Sequence, residues 1–268
     1  MVKPKILFVT QEITPYMKSS HISEIGRHLP QGIQERKKEI RTFMPKFGVI
    51  NERRNQLHEV IRLSGMNLII NDIDHPLIIK VASIQSARMQ VYFIDNEDYF
   101  HRKGVFESKP QGFFEDNDER AIFYARGVLE TVKKLRWSPD IIHCHGWFSS
   151  LTPMYIKQLF RENPLFSDTK VVFSVYNDDF DELFHEDFIG KLKFEGLSEE
   201  QINAFRDRSY KALIKSAIDN SDAIIYGEKK IDPEIDKYIK DNKDLIIPFN
   251  EDGYIDAYND LYDKLLEE

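Results

Sequence analysis

The chain has 268 residues, 45 acidic against 37 basic for a formal net charge of −8, and a mean hydropathy of −0.46. That length is ample for one hydrophobic core, the acidic balance disfavours phosphate backbones and anionic lipid, and no apolar run approaches the roughly 20 residues of a membrane-spanning helix. Nucleic acid and membrane are therefore not expected as partners, and a lone cysteine, Cys144, with an apolar run in MVKPKILFVT too short for a signal peptide, predicts a cytoplasmic protein.

From the N-terminus, residues 6–10 read as a strand whose carboxyl end opens into a loop with Glu12, Pro15 and Lys18, followed by a helix over 20–36. Ligands of open α/β sheets bind at such strand ends, and a lysine beside the free N–H groups of a helix start offers an anion site. Ser20 with Glu24 nearby reads alternatively as an ordinary helix cap. Strands follow at 40–44 and 91–95, with a hairpin excursion around Asn71–Pro76 between them. A helix over 117–136 carries Ile122, Phe123, Ala125, Val128, Leu129, Val132 and Leu135 at three- and four-residue steps, so one face packs on the sheet.

The strand over 140–145 ends in HCHGW, residues 143–147. His143 and His145 share a face and offer two metal ligands, but no HxxE, CxxC or acidic partner stands at ligand spacing, so neither metal nor cofactor is expected. The competing reading is a polar strand end lining a cleft, with Cys144 on the opposite face as a buried, inert thiol. A helix over 153–160 leads to a strand over 171–176, where Tyr176 and Asn177 reach the same sheet edge. Asp178, Asp179, Asp181 and Glu182 come next, as acid/base candidates or as a solvated turn. A helix over 201–217, strands at 223–226 and 245–248, a turn at Asp252-Gly253 and a helix over 254–266 complete the chain. Continuous apolar strands alternating with amphipathic helices predict one Rossmann-like, doubly wound, mostly parallel α/β sheet.

KPKILFVTQEITPYMKSSHISEIGRHLPQGI, FMPKFG, VYFIDNEDYFHRKGVF, DNDERAIFYARGVLE and PDIIHCHGW, in this order, resemble the N-terminal half of ADP-glucose-dependent glycogen and starch synthases, glycosyltransferases of the GT-B type, as far as about residue 226. Lys18, Gly26, Leu29 and Pro30 align with that family's opening. The family's two loop glycines, which let backbone approach the nucleotide phosphates, are Ser20 and His21 here. The aspartate of its His-x-His-Asp-Trp strand end is Gly146, the histidine of its Thr-Val-His-Asn segment is Tyr176, and after Ile225 its Ser-Pro-x-Tyr loop gives way to a segment containing GEKKIDPEI, residues 227–235.

The resemblance implies residues 1–251 as a starch-synthase-like Rossmann domain and 252–268 as a crossover-type helix packing back on it. Tyr258, Leu261, Tyr262, Leu265 and Leu266 would face the core, and a second nucleotide-binding domain is not expected. Lys18, Ser20 and His21 become weak equivalents of the nucleotide loop, and His143, His145, Trp147, Tyr176 and Asn177 a ligand cleft, with Gly146 and Tyr176 at degenerate catalytic positions. Three functions remain open: an inactive relative in glycogen metabolism that binds α-glucan or a protein partner, an ADP-glucose glucosyltransferase completed by a second chain, and a protein-interaction scaffold. Tyr16, Tyr99, Phe100, Trp147 and Tyr176 are the aromatic candidates for stacking on sugar rings.

Overall fold

A computed structural model describes residues 3–267. In the first strand, β1 (Lys5–Thr10), Ile6 and Phe8 face one layer while Leu7 and Val9 face the other, and all four are at most 1 % exposed. Such two-sided burial belongs to a parallel sheet covered by helices on both faces. The remaining strands are β2 (Glu39–Pro45), β3 (His58–Glu59), β4 (Met66–Ile70), β5 (Ile73–Ile84), β6 (Met89–Asp95), β7 (Glu107–Ser108), β8 (Gly112–Phe113), β9 (Ile141–His145), β10 (Lys170–Val175), β11 (Ala223–Tyr226) and β12 (Ile246–Ile247). The helices are α1 (His21–Glu35), α2 (Glu97–Phe100), α3 (Asn117–Leu135), α4 (Leu151–Met154), α5 (Phe188–Phe194), α6 (Glu199–Ile202), α7 (Tyr210–Asp219), α8 (Pro233–Asn242) and α9 (Tyr254–Glu267).

The main sheet runs β12-β11-β10-β9-β1-β2-β6-β5-β3, parallel from β12 to β6 and antiparallel beyond. The order reverses between β1 and β9, where Thr10 pairs with His145, so the crevice beyond these two ends is the switch point at which such folds bind ligands. Helices α1 and α9 cover one face, burying Ile25, Leu29, Ile33, Tyr258, Leu261, Tyr262 and Leu265 with Ile6 and Phe8. The other face lies under α3, α4 and α7. Each fully buried Leu or Ile contributes about 1.5–3 kcal/mol, so the face under α1 and α9 is an integral part of the core. Among the described residues no helix is long and apolar enough to cross a membrane.

The doubly wound, mostly parallel sheet expected from the strand pattern is present, and several local details differ. The hairpin turns at Asn71 and Asp72, both at positive φ, and its second strand β5 runs on into the main sheet beside β6. The helix expected over 201–217 is interrupted between α6 and α7. Arg208 adopts φ 57°, Asp207 accepts the Ser209 N–H at 3.0 Å, and the Ser209 hydroxyl oxygen caps α7 by accepting from Ala212 N–H. Local side-chain bonds of this kind compete with the helix ladder. The helix expected over 153–160 starts at Leu151 and passes into a π turn, Tyr155–Leu159; Pro153 is tolerated in its first turn, where a missing N–H costs little. The strand expected over 245–248 shrinks to Ile246–Ile247. Leu266 is 36 % exposed, contrary to the expectation that it packs inward. At about 100° per residue, Tyr258, Leu261, Tyr262 and Leu265 form one stripe, and Leu266 falls just past its edge.

Candidate functional site

The β1/β9 switch point is capped by the start of α1. Ser20 is the helix cap in extended conformation: its side chain accepts the Ser23 N–H at 3.1 Å, and the Ser23 hydroxyl oxygen accepts the Ser20 N–H at 2.8 Å. The Ser20 hydroxyl donates to Glu12 Oε2 at 2.5 Å, and Glu24 accepts from Ser19 and Thr14. The positive end of α1 is thus answered by the protein's own hydroxyls and carboxylates. Lys18 is exposed on the loop beside it.

His21 does not face the α1 amides. Its Nε2 lies 2.7 Å from the carbonyl oxygen of Gly227, just after β11, and its ring contacts Tyr176 at 6.1 Å and Phe249 at 5.9 Å. Tyr176 is 2 % exposed, and a side chain at Gly227 would come within 2.4 Å of its ring, so the tyrosine fits only because residue 227 is glycine. His21, Tyr176 and Gly227 therefore interlock. Gly146 has an equally local reason: it sits at φ 81°, and a Cβ there would be 2.4 Å from the Gln11 side chain, whose Oε1 accepts the Phe148 N–H at 3.1 Å.

Below this lid, the expected shared face of His143 and His145 is realised, with their rings 3.9 Å apart and at most 1 % exposed. His143 Nδ1 lies 2.5 Å from Tyr262 Oη of α9 and its Nε2 lies 2.7 Å from Ser174 Oγ. His145 Nδ1 lies 2.8 Å from Tyr176 Oη, while its Nε2 has no partner. Burial holds both imidazoles neutral: His145 is pushed down to about 3, and His143 well below 6.5, with His145 adding to the effect. Both nitrogens of His143 are already engaged, so the pair does not fit a metal. Cys144 faces the opposite core, where burial pushes its thiol up, as suits an inert side chain. Glu52, Asp95 and His101 bring three ligand atoms within 4.8 Å, yet Lys46 reaches Glu52 at 2.6 Å and Lys80 reaches Glu52 and Asp95 at 2.8 and 2.9 Å. These ammonium groups already neutralise the carboxylates, so this donor set suits an ion-pair network better than a cation.

Beside the switch point an open cleft of about 730 Å³ has aromatic walls, Phe106, Phe113, Trp147 and Phe180, and an acidic rim that includes Glu12, Asp178, Asp179, Asp181 and Glu182. Phe106 lies 4.6 Å from Trp147, and Phe180 4.8 Å from both Trp147 and Phe113. Asp178 is more than a member of a solvated turn. It accepts the Trp147 N–H at 2.7 Å and the Tyr210 hydroxyl at 3.0 Å, and burial pushes its carboxyl up to about 6, against the pull of those two bonds and with a smaller push from Glu12.

Of the residues singled out from sequence, Trp147 lines this cleft, His143, His145 and Tyr176 lie buried behind the lid, and Asn177 is exposed on its own. Tyr16, Tyr99 and Phe100 belong to the core. Phe106, Phe113 and Phe180 were missed, although for Phe113 and Phe180 aromatics embedded in polar loop sequence (ESKPQGFFEDN, NDDFDELF) have no core-forming period and were a usable signal.

Residues 5–242 match the family described as the starch synthase catalytic domain. The glycogen synthase of Chlorobium limicola is 40 % identical over 174 residues, 65 % of this chain and 36 % of that protein. That of Chlorobium luteolum is 33 % identical over 228 residues, 84 % of this chain and 46 % of that protein. The chain thus spans less than half the length of these relatives. Among solved structures, the catalytic domain of starch synthase IV from Arabidopsis thaliana, bound to ADP and acarbose, superposes with a TM-score of 0.67 over 84 % of this chain and 45 % of that one, at 16 % identity, a likeness of fold. With its switch-point crevice, its order of motifs and a match across most of its length, this chain belongs to the starch synthase catalytic domain family.

Proposed function

We propose that this chain is a glycogen synthase-like protein of α-glucan metabolism that binds glucan in the aromatic cleft and, on its own, does not transfer glucose from ADP-glucose. The observation that carries this reading is the interlock of His21, Tyr176 and Gly227 over the α1 N-terminus, with Glu12 bonded to Ser20. A diphosphate seated at α1 would meet the Glu12 carboxylate and lack the close backbone approach that paired glycines give. Lys18 alone supplies too little charge to stabilise a departing diphosphate. The cleft, by contrast, combines flat apolar rings with carboxylates, which suits the apolar faces and hydroxyl rims of neutral sugars.

Calorimetric titration with ADP, ADP-glucose and maltoheptaose tests this. The expected result is silence toward both nucleotides and measurable binding of maltoheptaose that Phe180→Ala weakens about tenfold, the scale of one lost aromatic contact. A second reading, an ADP-glucose glucosyltransferase completed by another polypeptide, draws on the exposure of Lys18 beside the α1 N-terminus. Micromolar nucleotide binding, abolished by Lys18→Ala, would replace the first reading with the second.

A further inference from the structure

Arg120, in the first turns of α3, is fully buried, and among the described residues no carboxylate bonds to it. Its guanidinium carbon lies 5.3–5.7 Å from the rings of Phe47, Phe100, Phe114 and Phe148. Its Nε donates to the Tyr99 carbonyl at 2.8 Å and its Nη1 to Asn117 Oδ1 at 2.5 Å, while Nη2 has no partner. The nearby Asp116 carboxylate is taken by Arg102 through two bonds of 2.8 Å. Burial pushes the Arg120 guanidinium down to about 9, with a further push from Arg102.

A cation buried among rings with one N–H unsatisfied is an expensive way to fill a core, and methionine or leucine would fill the space more cheaply. The bonds indicate what the charge does. Asn117, oriented by Arg120, donates from Nδ2 to the Phe106 carbonyl at 2.8 Å, and Arg120 itself holds the chain at Tyr99, so both ends of the 99–106 segment are tied to α3. That segment delivers the Phe106 ring against Trp147 in the cleft wall. We infer that Arg120 is a positioning residue, which fixes the aromatic wall of the cleft through Asn117 and Phe106; its consequence for sugar affinity rests on the glucan-binding reading.

The test is a mutant cycle in a Trp137→Phe background, where Trp147 is the remaining tryptophan. Arg120→Met should melt cooperatively, raise acrylamide quenching of Trp147 about twofold or more, and weaken maltoheptaose binding about tenfold. In Phe106→Ala the same substitution should change affinity by less than about twofold, because its target is already gone. Asn117→Ala should reproduce the effect, and it decides the matter if Arg120→Met does not fold. Unchanged quenching, or equal losses of affinity with and without the Phe106 ring, would overturn the inference. If the unmutated chain fails to bind maltoheptaose, the glucan reading falls while the quenching of Trp147 still decides the role of Arg120.

Discussion

His143 and His145 occupy alternate positions of one strand, so their shared face and the opposite placement of Cys144 follow from period two alone. Their partners do not. Ser174, Tyr176 and Tyr262 are 31 or 119 residues away, and no local pattern announces them. Because burial keeps both imidazoles neutral in the folded state while the unfolded chain protonates them near 6.5, their contribution is intact above that pH and is lost as pH falls below it, at about 1.4 kcal/mol per unit for each proton. Asp178 acts in the other direction: with its carboxyl raised to about 6, folded protein gains stability as pH falls from there toward the unfolded value near 4. Urea midpoints measured from pH 7 to pH 4 should therefore decline, with Asp178→Asn steepening the decline and His145→Gln flattening it. Midpoints level below pH 6.5 in all three proteins would contradict this account.

At the scale of elements, α9 was recognisable from its amphipathic spacing and its docking face nearly so, with Leu266 the exception because it falls just past the edge of the stripe formed by Tyr258, Leu261, Tyr262 and Leu265. The interruption between α6 and α7 left a mark in the sequence, since the polar run RDRS at 206–209 breaks the apolar spacing between Phe205 and Tyr210 and its Asp207 and Ser209 supply competing side-chain bonds. What spacing could not reveal is that α9 also completes the polar floor of the crevice, placing Tyr262 Oη 2.5 Å from His143. Tyr262→Phe keeps the packing and leaves a buried nitrogen without its partner, which should destabilise by about 1–3 kcal/mol. At this chain length that corresponds to a fall in Tm of about 2–4 °C per kcal/mol. Calorimetry showing an unchanged Tm would mean that the bond contributes nothing net. Removal of residues 252–268 should cost far more, because it uncovers Ile25, Leu29 and Phe8 together.

For the whole molecule, the parallel sheet was legible because strands apolar on both faces leave few alternatives, whereas the cleft was not, because its walls come from the segments around 106, 113, 147 and 180, which only the fold brings together. The same assembly gathers Glu12 and the four acids between 178 and 182 around that cleft, on a chain already carrying −8. A field of this sign repels a diphosphate and is indifferent to an uncharged sugar. Salt therefore separates the two ligand classes without any mutation, since the screening length falls from about 10 Å at 0.1 M to about 3 Å at 1 M. Maltoheptaose affinity should change by less than about twofold between these two salt concentrations, because no charged pair is made or broken on binding. If nucleotide binding through Lys18 were the working mode, its affinity would instead track the salt concentration, and Lys18→Ala would remove that dependence. An Asp179→Asn or Asp181→Asn substitution that costs more maltoheptaose affinity than Phe180→Ala would mean that the carboxylates, and not the rings, hold the sugar, and it would move the emphasis from Phe106 and Phe180 to Asp178 and its neighbours.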